Sequence, residues 1–525
     1  MTAEAVEAGT RDEMGHRRVL ESLSGLLLVL FVAMISSTVV STALPLIIGS
    51  LNGTQTQYTW VVTATLLTAT ATTPIWGKLA DLFNKKTLVQ VAIVIFVIGS
   101  MISGFSQDTG QLIAARAFQG IGIGGLQALV QVVIAAIIPP RERGKYNGLL
   151  GAVMAVATVG GPLLGGLIVD VSWLGWRWCF FVGVPIAAIA FVVLQRTLHL
   201  ETDRRENVRV DYLGAALIAT GVSVLLIWVS FVGNSFDWLS WQTTLMVLGG
   251  LLLLGFAVLV EKRVREPIVP LDIVVQRTPA LAIIASLAVG MAMFGGAVFL
   301  GQYFQVGRGY TPTEAGLLTI PMMAGVLVSS TVSGRMISRS GKVKPYIVVG
   351  AVVLVLGFLG LGMVDHATSL WIVGVAMAVV GVGVGMTMQN LVLAVQNSVP
   401  MKDLGAASAS VTFFRSLGGT IGVSVLGAVL ANRVTADLAA ALHVPEGQAA
   451  TGGTSALNLT ALPPEVRTVV HTVYGDATAH IFLISAAVAV VGVIAALLLK
   501  PITLRTTIDL ETREEDTAVS DPIAG

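Results

Sequence analysis

Two arginines lie deep inside apolar stretches of the chain, Arg116 in the run 109–138 and Arg415 in the run 404–431. Holding a guanidinium at the centre of a bilayer costs at least about 2.5 kcal/mol on insertion scales, so each needs a partner or a wet cavity. At a helical period Arg116, Gln119, Gln127 and Gln131 fall on one stripe, with Gly120 and Gly124 beside them. Ser408, Thr412, Arg415, Gly419 and Gly422 form a second stripe of the same kind. A third run offers Met386, Gln389, Asn390, Gln396 and Asn397. Such groups suit either an adaptable polar lining or interhelical hydrogen bonds that hold a bundle together. A buried arginine likewise suits either the movement of a solute or a structural role capped by carbonyls.

The acidic residues are placed differently. None of the 30 Asp and Glu falls near the middle of an apolar run; Asp81, Asp108, Asp170, Asp211, Glu261 and Glu314 come nearest, all at run ends. A cavity lined by these stripes is therefore expected to be net positive. At an effective dielectric of 20, an arginine about 4 Å from a cation repels it by roughly 4 kcal/mol, which favours neutral or anionic amphiphiles. A proton-carrying role falls to a run-end carboxylate, Glu314 first, to a histidine such as His480, or to the substrate itself. The six histidines form no HExxH pattern, there is no GxxxxGK[ST] stretch, and Cys179 is the single cysteine. These facts exclude a zinc hydrolase, an ATP-driven pump and a Cys-based metal cluster, so no enzyme activity and no cofactor are expected. A net charge of +1 excludes the strong basic bias of a nucleic-acid binder.

The elements that position these residues follow from composition. With 525 residues, 55% hydrophobic and 12% charged, and a mean hydropathy of +0.85, the chain reads as an all-α polytopic membrane protein. Fourteen predominantly apolar runs of about 20 residues lie between 22 and 499, each long enough for a hydrocarbon layer of about 30 Å. With the N-terminus inside, 25 of the 31 Lys and Arg fall on the inner side, which predicts cytoplasmic termini. The expected order is a cytoplasmic tail over 1–21, six helices over 22–200, two over 211–260, six over 279–499 with an outer loop at 432–477, and a cytoplasmic tail over 500–525. Residues 1–20 are mixed-charge and the first apolar run is full length, so no cleavable signal is expected.

Two inner loops echo each other: Gly77-Lys-Leu-Ala-Asp81-Leu-Phe-Asn84-Lys85 and Gly334-Arg335-Met-Ile-Ser338-Arg339-Ser-Gly341-Lys342. Parallel echoes are what two related six-helix halves leave, with 211–260 inserted between them. The alternative is that any short inner loop is rich in Gly and Lys. The first loop resembles the signature between helices 2 and 3 of the major facilitator superfamily. Leu112-Ile-Ala-Ala-Arg116-Ala-Phe-Gln119-Gly120 resembles its helix 4 motif, and Gly151 with Gly160-Gly161-Pro162-Leu-Leu-Gly165-Gly166 resembles its antiporter motif in helix 5. With Thr38-Val-Val-Ser-Thr-Ala-Leu-Pro45 in helix 1 and Arg415-Ser-Leu-Gly-Gly-Thr-Ile-Gly422 in helix 13, the chain resembles drug:proton antiporter family 2, the 14-helix EmrB/QacA type. Two departures stand out. Ser36, followed by Ser37, occupies the position where the family carries an Asp, and Leu82 and Asn84 replace an Arg and a Gly. Asn84 is expected to keep a left-handed turn accessible.

The resemblance implies proton-coupled efflux of amphipathic small molecules such as antibiotics, by alternating access, in a cell inner membrane. The partners expected are the substrate, protons and the lipid bilayer, with no obligate protein partner. Arg116, Asp81, Arg415 and Glu314 are assigned to transport and coupling, with Asp81 latching an inner gate. Ser36, Ser37, Gln119, Gln127, Gln131, Gln389 and Asn390 are assigned to the cavity. Gly151, Gly161, Pro162, Gly165 and Gly166 form the hinge and seal, where small residues let helices touch and a proline bends one of them. A lipid or natural-product exporter, a nutrient importer, and a non-transporting sensor or scaffold are the alternatives. The last would need neither a Gly/Pro helix nor buried arginine stripes.

Overall fold

Apolar runs punctuated by cap residues become helices throughout the described residues. The computed structural model describes residues 3–51, 55–171, 173–198, 211–232, 236–264, 267, 269, 271–400, 403–443, 464–501 and 503–504. The first set of helices is α1 (Ala3–Ser50), α2 (Gln55–Leu82), α3 (Lys85–Phe105), α4 (Thr109–Ile137), α5 (Pro140–Asp170), α6 (Trp178–Phe181) and α7 (Gly183–Thr197). A hairpin follows, α8 (Tyr212–Phe231) and α9 (Trp241–Glu261), then the short α10 (Leu271–Val274). The second set is α11 (Arg277–Gln302), closed by a π-turn at Tyr303–Gly307, then α12 (Pro312–Leu318), α13 (Ile320–Ser340), α14 (Lys344–Leu361), α15 (Leu370–Gln396), α16 (Leu404–Leu442) and α17 (Pro464–Leu498).

Several run-end acids work as helix caps. Asp108 accepts the Gln111 N–H at 2.8 Å to start α4, and Asp211 accepts the Gly214 N–H at 2.8 Å to start α8. Gly341 ends α13 at φ 70°, the left-handed conformation that glycine adopts without steric cost. Asn84 behaves differently from expectation. At φ −60° it is not left-handed; its amide oxygen instead accepts the Lys86 and Thr87 N–H groups at 2.9 and 3.3 Å, which satisfies the open first turn of α3.

Among the described residues, twelve helices are long and apolar enough to cross a membrane. α2 and α5, with 28 and 31 residues, match them in length; α2 is rich in threonine, and α5 begins with Pro140-Arg-Glu-Arg before an uncharged, glycine-rich stretch. The segment 432–477, expected as a loop, is helical at both sides. α16 continues to Leu442, supported by an alanine-rich end and an Arg433–Asp437 ion pair at 3.0 Å one turn apart, and α17 starts at Pro464. The tail expected over 1–21 is helical from Ala3 onward, as the start of α1.

The packing pattern repeats. α1 packs on α5 and α7, α2 on α4, and α3 on α4 and α7; equivalently, α11 packs on α16 and α17, α13 on α15, and α14 on α15 and α17. The two sets meet where α2 touches α16 and α5 touches α13, and α8 leans on α2 and α16. Each set has its own apolar core, around Phe96, Leu126 and Leu129 in the first and around Tyr303, Phe304, Phe358 and Phe482 in the second. Leu251, Leu252, Phe256 and Leu259 on α9 remain exposed, as a face toward lipid tails would be. Because lipid tails are as apolar as leucine, close packing and hydrogen bonds must hold such a bundle together.

Candidate functional site

Arg116 sits two turns into α4 and is buried. Its Nη1 donates to the Gln119 Oε1 at 2.5 Å, and the Gln119 Nε2 donates in turn to Ser100 Oγ at 2.6 Å and to Ser36 Oγ at 3.4 Å. The guanidinium also lies 6.0 Å from the centroid of the Phe180 ring, while its Nε is left without a partner. Gln119, Ser100 and Ser36 are all buried, so α1, α3 and α4 are joined by a neutral chain that ends on one cation. Ser36 therefore has a defined place: its hydroxyl closes a chain that a carboxylate would turn into an ion-paired one.

Arg415 shows the opposite arrangement. It stands about 16 Å along α16 from Leu404, at a rise of about 1.5 Å per residue, and is 7% exposed. Its Nη1 has no hydrogen-bond partner, and among the described residues no carboxylate pairs with it. Ser408 and Thr412 lie on the same side of the helix and are buried with it.

Polar groups from the two sets meet at several depths. Gln131 Nε2 on α4 donates to Gln389 Oε1 on α15 at 3.2 Å. Nearer the end that carries Lys85, Lys86, Arg335 and Arg339, here the basic end, Arg143 is buried at the start of α5. It donates through Nε to the Ile138 carbonyl at 2.7 Å, through Nη2 to the Ala135 carbonyl at 2.5 Å, and through Nη1 to Gln396 Oε1 at 2.8 Å. The Gln396 Nε2 passes the connection on to Ser408 Oγ at 3.1 Å. At the same end Asp81 accepts the backbone N–H groups of Gly405 and Ala406 at 2.7 and 2.8 Å, capping the first turn of α16 from the other set.

The remaining residues named from the sequence fall in three places. Gln127 and Ser37 are half-buried, and Asn390 is buried with its Nδ2 turned back to the Met386 carbonyl at 2.7 Å. Glu314 forms a capping box with Thr311 at the start of α12, accepting the Thr311 N–H at 2.8 Å. Along α5, which runs unbroken through Pro162, the glycines face different partners. A Cβ on Gly151 would lie 2.5 Å from Ser330 Oγ on α13, across the two sets, whereas a Cβ on Gly161 would lie 2.0 Å from Thr38 Oγ1 on α1, within one set. Gly165 is buried and Gly166 half-buried. A cavity of about 300 Å³ among Gln276, Arg277, Thr278, Pro279, Ser398 and Lys500 lies at the basic end and touches none of these residues.

Arg143 and Ser100 are the functional candidates that the sequence does not single out. Arg143 reads as one of three loop cations with Arg141 and Lys145; its only signal is its position just past Pro139-Pro140, inside a helix start.

The sequence profile of the Major Facilitator Superfamily matches residues 26–423. An uncharacterized MFS-type transporter of Mycobacterium tuberculosis (strain ATCC 25618 / H37Rv) is 35% identical over 473 residues, covering 90% of this chain and 68% of that protein. The multidrug transporter protein MdtP of Bacillus subtilis (strain 168) is 35% identical over 410 residues, covering 78% of this chain and 74% of that protein. The efflux pump dotC of Dothistroma septosporum is 32% identical over 500 residues, covering 93% and 84%. Among solved structures, the human organic anion transporter MFSD10 (TETRAN) superposes with a TM-score of 0.59 at 12% identity, covering 90% of this chain and 99% of that one. The proton:xylose symporter XylE superposes with a TM-score of 0.60 at 15% identity, covering 95% and 99%. At these identities the two structures speak to fold alone.

Proposed function

The chain belongs to the Major Facilitator Superfamily, and we propose that it is a secondary active exporter of amphipathic small molecules, antibiotics among them, working by alternating access. The observation that carries this reading is the set of contacts between the two helix sets: Asp81 on Gly405 and Ala406, Arg143 on Gln396, and Gln131 on Gln389. These contacts lie at mid-depth and toward the basic end, as in a transporter closed on that side, and they are made of groups that can separate and re-form. Relatives named multidrug transporter and efflux pump support export of small molecules as the direction and cargo.

The finer parts of the proposal are a 14-helix arrangement of the drug:proton antiporter family 2 type, with α2 and α5 as spans and α8 and α9 as an inserted pair. The basic end faces the cytoplasm of a cell inner membrane, with both termini there, supported by the Lys and Arg count. Export is coupled to protons. The coupling proton moves opposite to the cargo and so uses a group of this chain; Glu314, in its capping box at the start of α12, is the first candidate in this proposal. Expression in a pump-deficient host, with susceptibility measured across many compounds and efflux of a fluorescent dye followed in parallel, tests the reading. Lower susceptibility and faster efflux are expected; no change for any compound together with no dye efflux overturns it.

A further inference from the structure

The two intramembrane arginines differ in one respect that decides their roles. Arg116 has an acceptor in Gln119 and a ring in Phe180, whereas the Arg415 Nη1 is enclosed without a partner. A cation 7% exposed and unpaired is costly at this depth, and a bundle keeps one only where something periodically pairs with it. The neighbours offer no candidate. α11, α15, α4 and α8, all packed against α16, contain no Asp or Glu; Asp81 of α2 already caps α16; and of the two acids in α17, Glu465 stands in the first turn, eleven residues before Asp476, and Asp476 is held by His366 at 3.0 Å.

The position of Arg415 points inward. Ser408, Thr412 and Arg415 lie on one face, and Ser408 accepts the Gln396 amide of α15. α15 and α16 are joined by a short turn and run antiparallel, so seven residues along each, about 10.5 Å, bring Gln389 and Arg415 to the same depth. Gln389 is hydrogen-bonded to Gln131 of the other set. Arg415 thus stands at the level where the two sets exchange polar contacts, with its backbone against Gly290 of α11.

We propose that Arg415 recognises the anionic group, a carboxylate or sulfonate, of an otherwise apolar substrate, while Arg116 positions α4 through its chain to Ser36 and Ser100. A guanidinium presents paired N–H donors that match such a group with two parallel hydrogen bonds. The inference rests on the efflux reading above and adds the substrate's charge.

The test uses the full chain in proteoliposomes with an imposed pH gradient and three dyes. 8-Anilinonaphthalene-1-sulfonate and N-phenyl-1-naphthylamine share one aromatic scaffold with and without the sulfonate, and ethidium supplies a cation. The wild-type chain is expected to move the sulfonate faster than ethidium. Arg415→Gln and Thr412→Asp, the first removing the charge and the second pairing it in place, are each expected to lower the sulfonate-to-naphthylamine rate ratio by about tenfold to a hundredfold, as loss of a hydrogen-bonded charge partner does. Arg415→Lys is expected to keep an intermediate ratio. An unchanged ratio in Thr412→Asp, or faster wild-type transport of ethidium than of the sulfonate, overturns the inference while leaving the exporter reading intact. Failure of the wild-type chain to move any of the three dyes overturns both.

Discussion

Gly77 and Gly405 meet reciprocally beneath the Asp81 cap: a Cβ on Gly405 would lie 2.4 Å from the Gly77 carbonyl oxygen, and a Cβ on Gly77 would lie 2.8 Å from that of Gly405. The approach of α2 to α16 that lets Asp81 reach two backbone N–H groups therefore depends on both residues lacking a side chain. Asp81→Asn keeps the size but turns one acceptor into a donor facing an N–H. A lost charged hydrogen bond of about 1.5–3 kcal/mol should lower transport by about tenfold or more. In a Cys179→Ser background, Ser408→Cys, which lies beneath this contact, should label faster with a thiol reagent when Asp81 is replaced. Wild-type transport and labelling in Asp81→Asn would remove the latch.

Arg143 feeds three acceptors from one planar fork, which a lysine ammonium on a flexible stem does not reproduce. Arg143→Lys keeps the loop charge that guides insertion, so expression should hold while dye efflux falls by about tenfold. Equal efflux by both proteins would reduce Arg143 to an insertion signal.

The α5 glycines should separate by phenotype. Gly151→Ala places a methyl 2.5 Å from Ser330 Oγ but 3.5 Å from Ser330 Cβ, so Ser330→Ala should restore the transport that Gly151→Ala loses. Gly161→Val presses on the Thr38 Oγ1 and Cβ within one set, and should lower the thermal stability of purified protein by an overpacking cost of about 1–3 kcal/mol. No rescue in the double variant would show that the α5–α13 contact is not what Gly151 protects.

Ser36→Asp would bring a carboxylate to the chain that ends on Arg116. Transport of ethidium relative to 8-anilinonaphthalene-1-sulfonate should rise severalfold. A fall in that ratio would mean that the charge at this depth does not govern selection.

The arginine and glutamine stripes, the Asp81 loop and the small residues of α5 were legible in the sequence because helical period and residue size are local properties. Arg143 was not, since the partner that ties it to the other helix set, Gln396, lies 253 positions away. The division of labour between Gly151 and Gly161 was equally hidden, because both are simply small in sequence and differ only in which helix lies opposite. The helical ends of α16 and α17 away from the basic end are hidden for a different reason: Arg433 and Asp437 look like loop polarity until they are seen one turn apart on a helix. Asn84 also showed that an asparagine which tolerates a left-handed turn can equally well cap a helix.

The Gln131–Gln389 pair carries a consequence for promiscuity. An amide–amide hydrogen bond of this kind contributes about 0.5–1.5 kcal/mol net, close to a single factor of ten in population. Any incoming molecule with one acceptor for Gln131 and one donor for Gln389 can take up both freed groups and return nearly the whole of that energy. The fastener at mid-depth is thus interchangeable with its cargo, and tolerance of many chemical scaffolds requires no remodelling of the surrounding helices.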